Sequence, residues 1–95
     1  MAEGSQFHQH YVQGQAMIKT LQALVDSVYK AHLDSSDKAL KKAAYRNGDV
    51  DVEIMSLGQN GDIVIYKWVD EVKVYRCVFT GTAEDAKEYI ASKEW

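Results

Sequence analysis

At Asn47-Gly48-Asp49-Val50-Asp51-Val52-Glu53-Ile54-Met55 the hydrophobic period of the chain changes from 3.6 to 2. Val50, Val52 and Ile54 alternate with Asp51, Glu53 and Met55, the pattern of a strand whose two faces meet different surroundings. Upstream, Met17, Ile18, Leu21, Leu24, Val25, Val28 and Tyr29 recur at helical spacing, with Lys19, Gln22, Asp26 and Lys30 opposite. This predicts an amphipathic helix from about Tyr11 to His32 or Leu33. Asp34-Ser35-Ser36-Asp37 then offers N-cap residues for a second helix over about Ser36 to Arg46. That helix would bury Leu40, Ala43 and Ala44, expose Lys38, Lys41, Lys42 and Arg46, and stop at Asn47-Gly48.

Downstream, Asn60-Gly61 is a strong hairpin signal, because a type I′ turn needs positive φ at both central residues. Ile63 to Val69 reads as the second strand and Val72 to Phe79 as the third, joined at Asp70-Glu71. Gly81-Thr82 ends the sheet. Thr82 with Asp85 resembles a capping box, and Ala83, Ala86, Tyr89 and Ile90 line the inner face of a last helix running to about Lys93. The expected fold is α+β: a helical hairpin, a three-stranded antiparallel β-meander and a C-terminal helix (ααβββα). Residues 15–95 form a single domain behind a flexible N-terminal segment, 1–14.

Composition agrees. The chain has 95 residues, 46% of them apolar and 11% aromatic, no proline and one cysteine. That is enough for one domain and too apolar for wholesale disorder. Cys77 has no partner for an intrachain disulfide, which excludes a stapled secreted miniprotein. No apolar run is long enough to cross a bilayer, and the start of the chain lacks the pattern of a signal peptide. A soluble, cytoplasmic protein is the expectation. The net charge of −3 names no partner. Its distribution says more: residues 1–47 carry six Lys/Arg against four Asp/Glu, and residues 48–95 carry five against ten.

Two-residue turns at both hairpins would pair Leu57 with Val64, Met55 with Tyr66, Glu53 with Trp68 and Tyr66 with Tyr75. One face then holds Met55, Leu57, Val64, Tyr66, Trp68, Tyr75, Cys77 and Phe79, bordered by Asp51, Glu53 and Lys73. The other holds Val50, Val52, Ile54, Ile63, Ile65, Val69, Val72, Val74 and Val78, interrupted by Lys67 and Arg76. An antiparallel sheet ordinarily keeps one face polar; here both are apolar. The aliphatic face suits a core under the helices. The aromatic face calls for a covering helix or a partner.

Candidate chemistry is sparse. His8, His10 and His32 have no companions to complete a metal site, so no metal or cofactor is expected. No serine lies in a nucleophile-elbow context, and Cys77 sits mid-strand among apolar neighbours. Asp62 with Glu71-Val72-Lys73 resembles the D…E-x-K signature of restriction-type nucleases. Asp62 and Glu71 stand at opposite ends of one strand, about 30 Å apart, too far to share a metal.

The order helix, meander, helix resembles the double-stranded-RNA-binding domain. That family contacts RNA through a His-bearing loop between the first two strands and a lysine cluster opening the last helix. The matching positions here are Gln59-Asn60-Gly61-Asp62 and Ala83-Glu84-Asp85-Ala86-Lys87, and the second would repel phosphate. Phe79-Thr80-Gly81-Thr82 with Lys87-Glu88-Tyr89-Ile90-Ala91 is similar to the junction before the last helix in small phage head–tail joining proteins of the W type. The similarity spans about 13 residues, and those proteins have a single hairpin and a basic tail, so no function is carried over.

The functional expectation is a small non-enzymatic protein-binding or regulatory module, of the kind common in phages and mobile elements. Met55, Tyr66, Trp68 and Tyr75 are the candidate contact residues for a protein partner or for a second copy in a homodimer. The alternative is a nucleic-acid-binding protein using Lys38, Lys41, Lys42 and Arg46 on the basic second helix.

Overall fold

The computed structural model describes residues 2–37, 40–93 and 95, with side chains from Gly14 onward. Its elements are helix α1 (Ala2–Asp34), strands β1 (Lys41–Asn47), β2 (Val50–Leu57), β3 (Asp62–Val69) and β4 (Val74–Gly81), and helix α2 (Ala83–Ser92). The strands form one antiparallel sheet in the order β1-β2-β3-β4. The class is α+β, but with two helices and four strands rather than three of each.

The second helix is the correction. Lys41-Lys42-Ala43-Ala44 are good helix formers, yet they lie in β1, paired with β2 from Lys41 opposite Ser56 to Asn47 opposite Val50. The pairing is set by the turn that follows. Gly48 has φ +60° while Asp49 stays at negative φ, the type II′ pattern that joins strands without splaying them. Asn47-Gly48 therefore opens a hairpin instead of ending a helix. Within β1, Ala43 and Tyr45 turn toward the core and Ala44 toward solvent, so tertiary packing overrides local propensity. Leu40, expected inside, is 51% exposed.

The other two connections also differ in length. Leu57 pairs with Asp62 across four residues, and Val69 pairs with Val74 across four more. Each is two residues longer than a minimal turn. Because strand side chains alternate with a period of two, the register slides without exchanging the faces. One exchange does occur. A bulge in β4 sets Ile65 opposite Phe79 but Tyr66 opposite Cys77, leaving Val78 unpaired. Phe79 thereby moves to the helix-covered face, its ring centroid 5.3 Å from that of Tyr89.

Both helices pack on one face of the sheet. Leu21, Val25 and Val28 of α1 and Ala83, Ala86 and Ile90 of α2 meet Val52, Ile54, Ile63 and Ile65 of the central strands. Helix α1 begins upstream of Tyr11, and among its described side chains Met17 is the first packed against this core. Burying each large aliphatic side chain contributes about 1.5–3 kcal/mol. The Thr82 hydroxyl caps α2 by accepting from the Asp85 amide at 3.1 Å, as its sequence implies.

Two buried polar side chains fasten the β2–β3 turn to this core. His32, fully buried at the end of α1, donates from Nε2 to the Gly58 carbonyl at 2.5 Å. Ser56, also fully buried, donates to the Gly61 carbonyl at 3.1 Å. His32→Ala loses a buried hydrogen bond and opens a cavity, and it is expected to destabilise the fold by about 2–4 kcal/mol in urea unfolding. The exposed neighbour Lys30→Ala should change stability by less than about 0.5 kcal/mol. Equal effects would show that His32 does not anchor the turn.

Candidate functional site

The opposite face of the sheet carries the residues whose parity is set by Met55, Tyr66, Trp68 and Tyr75. Among the described residues no helix packs on it. Along its rows, Lys42 lies beside Met55 and Val64, Ala44 beside Glu53, Tyr66 and Cys77, and Trp68 beside Tyr75. Leu57 is also exposed, and Leu40 lies just before β1 at the same end of the chain's first hairpin. Leu40 is exposed because the segment that would have buried it as a helix face is strand β1 and the turn before it. Tyr66, Trp68, Tyr75 and Met55 are half-buried, and Cys77 is a free, exposed thiol.

A small polar network fixes the aromatic end of this face. Asp51 accepts from the Tyr75 hydroxyl at 2.8 Å and from Arg46 Nε at 3.3 Å. These contacts run over Trp68 and link edge strand β1 to edge strand β4. The Tyr75 hydroxyl and the Asp51 carboxylate beside it hold the Arg46 guanidinium above even its usual high pKa. Trp68 and Tyr75 meet edge to face, centroids 5.0 Å apart and planes at 66°. Rigid aromatics set by hydrogen bonds present contact area at low entropic cost.

The turns at this end add carboxylates. A depression of about 700 Å³ between the β1–β2 and β3–β4 turns is lined by Asp49, Asp51, Trp68, Asp70 and Glu71, with Lys67 among its walls. Asp70 accepts from Lys73 Nζ at 2.9 Å and from Trp68 Nε1 at 3.4 Å. No group of three His, Cys, Asp or Glu among the described residues is arranged to hold a metal ion.

Among the described residues, Lys41, Lys42 and Arg46 do not share the helix face expected of them. With β1 in place of a helix over Ser36 to Arg46, Lys42 and Arg46 point to the open face and Lys41 to the other, and Arg46 is paired with Asp51. Lys38, His8 and His10 lie outside the described positions or side chains. Charged residues along an edge strand such as β1 discourage unwanted strand addition. Among the described residues no helix is long and apolar enough to cross a membrane. No protein-family model, curated protein or solved structure matches the chain.

Lys73 is the one non-glycine among the described residues with positive φ, at 55°. The left-handed region costs such a residue about 1 kcal/mol, which glycine avoids. The Lys73 ammonium, then the Trp68 indole, hold the Asp70 carboxyl below its usual range. The contribution of this contact is therefore present above the ordinary aspartate pKa and is lost as pH falls through the lowered folded value. Lys73→Gly should relieve the backbone and let the Asp70 midpoint rise toward that of an unpaired aspartate in a carboxyl NMR titration. An unchanged midpoint would contradict the pairing.

Proposed function

We propose that the chain is a small non-enzymatic protein-binding module whose open sheet face docks another polypeptide. One observation carries this reading: Met55, Val64, Tyr66, Trp68 and Tyr75 share one face of the sheet, and both helices lie on the other. Strands of seven or eight residues at roughly 3.3 Å per residue, four abreast at about 4.8 Å, give the whole face an area of about 500 Å². Its apolar part is rich in Tyr, Trp and Met, the residues enriched at interfaces. Tyr75 is fixed in advance by Asp51 and Trp68 by Asp70, which lowers the entropic cost of docking.

The test is selection of displayed random peptides on the folded chain. Wild type is expected to enrich related sequences whose affinity falls about tenfold or more in Trp68→Ala and Tyr66→Ala. Both side chains face solvent in part, so both variants should unfold within about 1–2 kcal/mol of wild type. Peptides that bind equally well to the two folded variants would show that docking occurs elsewhere.

A further inference from the structure

The open face is not uniformly apolar, and its charges say what covers it. Asp51 and Asp70 are compensated by Arg46 and Lys73. Asp49, Glu53 and Glu71 have no ion pair among the described residues. Glu53 stands on central strand β2 directly beside Tyr66, and Asp49 and Glu71 border the depression next to Trp68. The aromatic end of the face thus joins three indole and phenol rings to three carboxylates outside any ion pair among the described residues, with Lys42 on the same face and Lys67 in the wall of the depression.

We infer that the occupant is a cationic segment of a partner protein, its Arg or Lys side chains lying over Trp68, Tyr66 and Tyr75 and pairing with Glu53, Asp49 and Glu71. This rests on the reading of the open face as a docking surface. Aromatic faces attract guanidinium and ammonium groups through their quadrupole, most strongly when the site is partly dried by the docking itself. A carboxylate beside the ring supplies the counter-charge that keeps the buried cation paired. Arginine fits best, because its planar fork can stack on a ring and bond a carboxylate together.

A second copy fits less well. In a two-fold contact each surface faces itself, and groups near the middle of the face lie close to their own mates across about 10 Å. Glu53 would then meet another Glu53 in a drying interface, a like-charge juxtaposition that costs affinity. A nucleic acid meets the same carboxylates with its phosphates.

The experiment follows the ¹⁵N-labelled chain by NMR during titration with a blocked hexa-arginine peptide and, separately, hexa-glutamate, at about 50 mM and about 300 mM salt. Shifts are expected at the Trp68 indole, Tyr66, Tyr75 and the Asp49 and Glu71 turns, with hexa-arginine only, and weaker at the higher salt. Glu53→Gln with Glu71→Gln should lower that affinity about tenfold while the fold is retained. Absent shifts, or shifts elsewhere on the chain, would overturn the cationic partner. Sedimentation of the same samples separates the two claims. A concentration-dependent dimer, lost in Trp68→Ala and indifferent to hexa-arginine, would make the occupant a second copy and leave the docking surface standing. A monomer that binds neither hexa-arginine nor any selected peptide through Trp68 would remove both.

Discussion

The rest of the structure depends on a single constraint: two helices cover one face of a four-stranded sheet. Leu21, Val25 and Val28 from one helix and Ala83, Ala86 and Ile90 from the other meet over Val52, Ile54, Ile63 and Ile65. That core is complete without any contribution from Tyr66, Trp68 or Tyr75. The aromatic side chains are consequently free of a structural duty under the helices. They are instead held in place by their own neighbours, above all by Asp51, which joins Tyr75 on one edge strand to Arg46 on the other.

The same division explains where rigidity lies. His32 and Ser56 fasten the β2–β3 turn from the helix side, at the end of the sheet remote from Trp68. At the other end, the β1–β2 and β3–β4 turns stand apart and enclose an open depression. The fold thus anchors one end of the sheet in the core and presents the other end, with its rings and carboxylates, to solvent.

Much of this was legible in local pattern. The inner face of α1, the Thr82 cap and inner face of α2, and the face assignment of Met55, Tyr66, Trp68 and Tyr75 all follow from periods of 3.6 and 2. The face assignment survived two misjudged loops because each was in error by an even number of residues. Phe79 did not survive, since a one-residue bulge changes parity and leaves no mark in composition. Strand β1 was illegible for a different reason. Lys41, Lys42, Ala43 and Ala44 favour a helix in isolation, and only pairing with β2 makes them a strand. The signal that existed was Asn47-Gly48, which begins hairpins as readily as it ends helices.

Docking at this aromatic face requires that it be bare in the free chain. Side-chain relaxation by a soluble paramagnetic probe, measured on the monomer, asks this directly. The Met55 methyl, the Trp68 indole and the Cys77 β-protons should be strongly relaxed, while the methyls of Ile54 and Ile65 are spared. Equal protection of both sets would mean that the chain covers both faces of its own sheet.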